Sequence, residues 1–210
     1  GLQAKLFKHF NIDFTYYATR TYNQTFNPQI SVSSGYSTLY VQTGDVSNHG
    51  VELALGYSNK WGNFGWSTNY TFSANTNRIN ELVRNYVHPE TGAIINKDRL
   101  EVGGLGSAKF ILKEGGTLGD LYSKTDVMRD SEGKIYVDKN GNIARNNNVG
   151  DIKLGSVLPK SNMAWRNDFS YKGFNLAFMV SARFGGIAYS ATQASLDKYG
   201  VSEATAAARD

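Results

Sequence analysis

Val51-Glu52-Leu53-Ala54-Leu55-Gly56-Tyr57-Ser58, then Asn59-Lys60-Trp61-Gly62-Asn63, then Phe64-Gly65-Trp66-Ser67-Thr68-Asn69-Tyr70-Thr71-Phe72-Ser73: this stretch decides the fold. Val51, Leu53, Leu55 and Tyr57 alternate with Glu52, Ala54, Gly56 and Ser58. After a short turn, Phe64, Trp66, Tyr70 and Phe72 alternate with Gly65, Ser67, Asn69, Thr71 and Ser73. A period of two places successive side chains on opposite sides of a β-strand, so each strand has one apolar and one polar face. The polar face is built from Gly, Ser, Thr and Asn rather than the Lys and Glu of a soluble sheet's wet side. Small polar residues on one face and aromatics on the other is the pattern of a strand in a membrane β-barrel, with its lumen polar and its outside apolar.

Three more segments follow the same rule. Phe10, Ile12, Phe14, Tyr16 and Ala18 alternate with Asn11, Asp13, Thr15, Tyr17 and Thr19. Met163, Trp165, Phe169 and Tyr171 alternate with Ala164, Arg166, Asp168 and Ser170. Lys172-Gly173 predicts a tight two-residue turn, beyond which Phe174, Leu176, Phe178, Val180, Ala182 and Phe184 alternate with Asn175, Ala177, Met179, Ser181 and Arg183. Arg20 to Gly50 reads as a polar connection punctuated by Pro28, Gly35 and Gly44. Thr76 to Pro159 shows no sustained periodicity, far beyond the roughly 12–15 residues at which an irregular loop needs a functional reason. Local hairpins are expected there, with turns at Ser131-Glu132-Gly133 and Asn140-Gly141. Gly185 to Asp210 loses alternation, with a helix expected over Ser202 to Arg209 and Ser202 as its N-cap.

The expected architecture is therefore an all-β, antiparallel, transmembrane β-barrel segment of about five strands. Its connections run long, short, long, short, long, as in barrels with short periplasmic turns and long outer loops. Asp13, Glu52, Arg166, Asp168 and Arg183 all fall on the polar, lumen-facing side. Tyr57, Trp61, Tyr171 and Phe174 cluster near the short turns, where an interfacial aromatic girdle belongs. Five strands cannot close a barrel, and an open edge in lipid leaves backbone groups unpaired. The chain is therefore expected to be a piece of a longer protein, with any export signal upstream of Gly1. The rival architecture is a soluble β-sandwich, such as a carbohydrate-binding module, in which the aromatic stripes would form a dry core. An outer-membrane adhesin would share the membrane exposure.

Composition narrows the class further. Charged residues make up 19% and hydrophobic residues 40% of the 210, which argues against disorder. The net charge of +4 is spread without a Lys/Arg block, so no nucleic-acid partner is indicated. With no cysteine there is no disulfide, thiolate metal site or cysteine nucleophile. No apolar run approaches the roughly 20 residues of a membrane helix, a limit that does not apply to barrel strands.

Several segments resemble, in order, the C-terminal barrel region of the SusC/RagA family of TonB-dependent outer-membrane transporters. The most specific are Asn48-His49-Gly50-Val51-Glu52 and Tyr171-Lys172-Gly173-Phe174. Phe10 to Tyr17, Thr71 to Ile79, Gly119-Asp120-Leu121-Tyr122, Asp130 to Ile135, Gly155 to Lys160 and Phe184-Gly185-Gly186 accompany them. The resemblance implies a late portion of a plugged barrel of about 22 strands, in a bacterial outer membrane of the Bacteroidetes type. It implies active import of oligosaccharides or peptides, a SusD-like lipoprotein as lid, and TonB–ExbB–ExbD acting through a plug. The plug and the final strands are expected to lie outside this chain, and residues 76–160 to form a long extracellular loop region.

Motifs for chemistry are sparse. Asp138-Lys139-Asn140-Gly141-Asn142 with Asp130 nearby offers oxygens of the kind calcium takes, but its Gly and its missing position-12 Glu do not fit an EF-hand. Asn-Gly is equally a tight-turn dipeptide, so Asp130, Asp138 and Asn140 are weak metal candidates and no cofactor is expected. Gly103-Gly104-Leu105-Gly106-Ser107-Ala108-Lys109 lacks the Gly-Lys-Ser/Thr of a phosphate loop and reads as a flexible loop. His9, His49 and His88 are isolated, and no nucleophile elbow occurs, so an enzyme is not expected. Tyr86, His88, Tyr122, Tyr136 and Trp165 are the candidates for stacking on cargo, because flat rings combine apolar faces with polar edges. Packing the loops together is the competing role for each.

Overall fold

A computed structural model describes residues 1–26, 41–88, 91–106 and 108–206. Its main body is a six-stranded antiparallel wall in the order β1 (Leu2–Leu6), β2 (Phe10–Phe26), β3 (Val41–Trp61), β4 (Phe64–Glu81), β13 (Ser161–Tyr171) and β14 (Phe174–Phe184). Register is continuous across it. Ile12 lies opposite Leu55, Leu55 opposite Tyr70, Tyr70 opposite Trp165 and Trp165 opposite Val180. One residue away, Asp13, Ala54, Thr71, Ala164 and Ser181 make the matching polar row. Because side chains alternate along every strand, each row keeps to one side of the wall.

Three features of the wall differ from the sequence reading. The first is an extra strand, β1, joined to β2 through Phe7 and Lys8 in the left-handed region. The second is the turn after β3, which shrinks to Gly62-Asn63, with Trp61 directly opposite Phe64. The third is length: β2 and β3 run well into the stretch expected to be a polar connection, with bulges near Thr21 to Thr25. Pro28 and Gly35 lie outside the described residues. The Lys172-Gly173 turn forms as the sequence predicts, with both residues at positive φ.

The apolar face has no second layer over it among the described residues. Phe174 is 81% exposed, Leu176 64% and Tyr16 60%, as a surface meant for lipid requires and a sandwich core forbids. Near the short turns its rings form an unbroken belt: Phe10–Tyr57 (4.6 Å), Tyr57–Trp66 (5.3 Å), Trp66–Phe169 (6.3 Å), Phe169–Phe178 (6.2 Å) and Phe178–Trp165 (6.2 Å). Thr68, Asn167 and, close to the turn, Asn59 interrupt this face. Thr68 Oγ1 accepts from Trp165 Nε1 (2.8 Å), and Asn167 Oδ1 accepts from Trp66 Nε1 (3.2 Å). Among the described residues, the amide nitrogen of buried Asn167 has no hydrogen-bond partner.

Between β4 and β13 the chain folds into a lobe rather than a loop with scattered hairpins. β5 (Val83–Val87) pairs with β6 (Ile94–Lys97). β7 (Arg99–Leu105), β8 (Ala108–Lys113), β9 (Asp120–Ser123) and β12 (Ile152–Ser156) make a four-stranded sheet in the order β12-β9-β8-β7. The Gly103-Gly104 pair is therefore strand, not flexible loop. A side chain at Gly104 would put Cβ 2.3 Å from the Ala108 carbonyl oxygen. The protein's buried core is here: Phe26, Val46, Ile79, Leu82, Val83, Leu100 and Leu112 pack together, joined by Tyr86, Ile95 and Leu118. Each fully buried aliphatic contributes about 1.5–3 kcal/mol, so the cluster fastens the lobe firmly to the upper ends of β2, β3 and β4.

Short strands β10 (Asp126–Val127) and β11 (Arg145–Asn146) bound two further turns. Asp130 Oδ1 accepts from the Glu132 and Lys134 amides (both 2.9 Å), and Asp138 Oδ1 from those of Asn140 (2.8 Å) and Asn142 (2.9 Å). The two turns stand eight residues apart. Their bases close a ring, with Met128 N donating to Ala144 O, Ala144 N to Tyr136 O and Tyr136 N to Met128 O. After β14 comes α1 (Ala191–Lys198), capped by Ser190 Oγ accepting from Gln193 N (3.1 Å) and absent from the sequence expectation. The expected helix from Ser202 is the short α2 (Glu203–Ala206), and Ala207 to Asp210 lie outside the described residues.

Candidate functional site

The polar face of the wall holds the sequence's five candidate charges together on one side. Asp13, Glu52 and Arg183 line a trough of about 880 Å³ with Thr15, Ser73, Asn162 and Ser181. Lower down, toward the short turns, a second trough of about 740 Å³ is lined by His9, Lys60, Ser67, Asp168 and Asn175. Arg166 grips Asp168 with Nε–Oδ2 at 2.9 Å and Nη2–Oδ1 at 2.7 Å, an exposed pair along one strand. Asp13 accepts from Gln3 Nε2 (2.7 Å). Glu52 and Arg183 have no ion pair or side-chain hydrogen bond among the described residues.

The wall positions these groups through close backbone approach at one glycine. Tyr17 points to the polar side and lies flat over Gly50, where an added Cβ would sit 2.5 Å from the tyrosine oxygen and 2.6 Å from the Ala74 carbonyl oxygen. That steric demand explains the glycine two residues before Glu52. On that side Asn11 to Thr19, Asn48 to Ser58, Gly65 to Asn77, Asn162 to Ser170 and Asn175 to Arg183 present small, amide or charged residues, apart from Tyr17 and Met179.

Above the trough the lobe is fastened by polar contacts that the sequence reading did not identify. Asn77 is 8% exposed, and its Oδ1 accepts from Leu118 N (2.8 Å). Ile79 N donates to Gly116 O (2.9 Å), and Gly115 N to Ile79 O (2.7 Å). Within the lobe, buried Asp120 receives Thr117 Oγ1 (2.5 Å), Thr117 N (3.0 Å) and Lys153 Nζ (2.5 Å). Burial alone would raise this carboxyl's pKa, but these donors together hold it below the usual carboxylate range. Asp151 receives Arg99 Nε (2.5 Å) and Lys113 Nζ (2.9 Å). The Arg99 hydrogen bonds outweigh desolvation and hold Asp151 well below an ordinary carboxylate. These acids are fully engaged in holding strands together.

The five aromatic and histidine candidates do not converge. Tyr86 packs against the lobe core. His88 accepts at Nδ1 from Thr91 N (3.4 Å) at the end of the β5–β6 hairpin. Tyr122 is 5% exposed in β9, with Lys113 Nζ 5.0 Å from its ring centre. Tyr136 is 49% exposed in the ring of turns. Trp165 stands on the apolar face of the wall, opposite Tyr70 and Val180. Asp130 and Asp138 spend one oxygen each on backbone amides, and Asn140 lies inside the second turn. Among the described residues no group of three or more His, Cys, Asp or Glu side chains converges as a metal site requires.

No protein-family model matches the chain. Among curated proteins, it is 25% identical over 209 residues to TonB-dependent receptor P3 of Formosa agariphila, covering 89% of this chain and 20% of that receptor. It is 27% identical over 124 residues to TonB-dependent receptor P39 of the same organism, covering 58% of this chain and 10% of the relative. Among solved structures, the fold matches the RagAB peptide importer in its closed-closed state, with TM-score 0.60, 16% identity and coverage of 85% of this chain and 19% of that one. The RagAB peptide transporter superposes with TM-score 0.59 at 15% identity, covering 83% of this chain and 19% of that one. The chain thus spans about a fifth of the length of the first of these receptors.

Proposed function

Taking the chain as part of the β-barrel wall of a TonB-dependent receptor in a bacterial outer membrane, we propose that it helps import a polar oligomer, either an oligosaccharide or a peptide. The wall forms one side of the passage, and the lobe, lying within residues 76–160, forms part of its outer rim. A plug fills the lumen, TonB–ExbB–ExbD energises it, and a SusD-like lipoprotein closes over the lobe. Cargo is caught at the outer face and released inward when the plug moves.

The observation that carries this reading is the division of the wall into two chemistries. One face presents uncovered aromatic and aliphatic side chains, with Phe174 81% exposed. The other presents Asp13, Glu52, Arg166, Asp168 and Arg183 among small polar residues, which suits a wet passage and would be costly against lipid. Of the five stacking candidates, Tyr86, His88 and Tyr136 sit in the lobe, where cargo or a lid would arrive. Buried Tyr122 is assigned a packing role, and Trp165 a place in the membrane-facing belt.

The test is uptake by cells carrying or lacking the full-length receptor, using radiolabelled oligosaccharide and peptide mixtures. The proposal expects one class to accumulate only with the receptor present, and a protonophore to stop it. Accumulation that is unchanged by deletion and by the protonophore for both classes refutes it. Copurification of a lipoprotein with the full-length receptor tests the lid.

A further inference from the structure

We propose that Glu52, Ser73, Asn162 and Arg183 form a strip that holds the two charged ends of a short, unmodified peptide of about four residues. The inference rests on the import reading above and chooses between its two cargo classes. These four residues occupy one row of the wall: Glu52 is opposite Ser73, Ser73 opposite Asn162, and Asn162 opposite Arg183. Three inter-strand steps of about 4.8 Å put Glu52 and Arg183 about 14 Å apart at the backbone. An extended peptide advances about 3.3–3.6 Å per residue, so a tetrapeptide's ammonium and carboxylate match that separation.

The chemistry of the row fits such a zwitterion. Asp13 is engaged by Gln3, and Asp168 by Arg166. Glu52 and Arg183 are exposed and unpaired among the described residues. Lys5, opposite Asn11 at the foot of the wall, is away from the row. Between the two charges lie Ser73 and Asn162, whose hydroxyl and amide complement peptide N–H and C=O groups. All four residues line the upper trough of about 880 Å³.

A sugar chain is a poorer fit, because pyranose faces stack on flat rings. None of the four residues of the strip carries a ring, and Tyr17 on the same face lies against Gly50. The strip stands high on the wall. Glu52 stands nine residues above Trp61 in β3, or about 23 Å above the turn at a strand tilt near 40°. That is just beneath the lobe, on the side where cargo enters.

The test uses the purified full-length receptor and calorimetric binding of tetra-alanine, its N-acetyl form and its C-terminal amide. Wild type is expected to bind tetra-alanine and to lose roughly 10- to 100-fold in affinity for each capped form, the range for a hydrogen bond to a charged group. Glu52→Gln is expected to abolish the acetylation penalty while keeping the amidation penalty, and Arg183→Gln the reverse. Folding of each variant is checked by its gel mobility before heating. Penalties that survive both substitutions overturn the strip. So does failure of tetra-alanine to bind a receptor that still imports oligosaccharide in cells, a result that leaves the import reading standing. A Glu52→Gln protein that is destabilised yet keeps the acetylation penalty assigns Glu52 to a basic group of the same polypeptide, and also overturns the proposal.

Discussion

Replacing Asn77 by Leu should loosen the lobe from the wall without unfolding the barrel. Asn77 is 8% exposed, and its side-chain oxygen is the acceptor for Leu118 N at 2.8 Å. Leucine has similar bulk but no acceptor, so the part-buried Leu118 amide loses its partner, at a cost of about 1–3 kcal/mol. The neighbouring contacts at Ile79, Gly115 and Gly116 and the apolar cluster stay in place, so the loss is local. Opening around Leu118 should therefore become roughly 5- to 100-fold more frequent. Hydrogen exchange of the full-length protein, read on peptides spanning residues 115–121, reports that opening directly. Peptides from the wall strands should exchange as in wild type. Asn77→Asp, which keeps the acceptor, should restore most of the protection. Equal protection in wild type and Asn77→Leu, or equal loss in the Leu and Asp variants, would refute the assignment of Asn77 as the lobe's anchor.

Two further outcomes follow from the same geometry. Tyr70 lies about 15 Å above Phe64 on the lipid face, close to the midplane of a band about 25 Å tall, so Tyr70→Arg should cost about 2–4 kcal/mol in denaturant titration of the refolded barrel. Asn69→Arg, one residue away on the wet face, should cost far less, and equal costs would contradict the facing. Acidification should weaken the lobe through Asp151. Its folded pKa is depressed by Arg99 and Lys113, so its contribution is fully present above the unfolded carboxylate range near pH 4 and fades as the pH falls below that. Protease cleavage in the lobe should be flat from pH 7 to 5 and rise at lower pH, and Asp151→Asn should remove Asp151's share of that rise.

How much of this was legible depended on strand length. β13 and β14 each run eleven residues, enough repeats of the period for alternation to assign both faces and the register. The lobe strands run from two to seven residues, and bulges at Glu101/Gly103 and Lys153/Gly155 break the period again. Five-residue β1 escaped for the same reason. The upper part of β4, Asn75-Thr76-Asn77-Arg78, is polar on both faces because one face meets solvent and the other anchors the lobe. No pattern rule marks that as strand. One available signal went unread: Asp130-x-x-Gly133-x-Ile135 and Asp138-x-x-Gly141-x-Ile143 repeat at eight residues, which is the ring of turns.

Site residues were legible to the extent that they followed from facing. The five charges on one wall face are a direct consequence of parity along the strands. The aromatic candidates were chosen by residue type, and type does not distinguish a ring buried in a lobe sheet, as Tyr122 is, from one on the membrane face, as Trp165 is. Asn77 and Asn167 lay beyond reach because their roles are set by partners 41 residues distant in one case and 101 in the other.

The most direct test of the barrel wall is a pair of single cysteines in the full-length protein, freed of any other cysteine by substitution and kept in its native membrane, one at Tyr70 and one at Asn69. Each is challenged with a lipid-phase and an aqueous thiol probe. The account predicts that position 70 labels only from lipid and position 69 only from water. A position 70 that neither probe reaches would place the aromatic stripe in a dry core, and the wall would be a sandwich sheet instead.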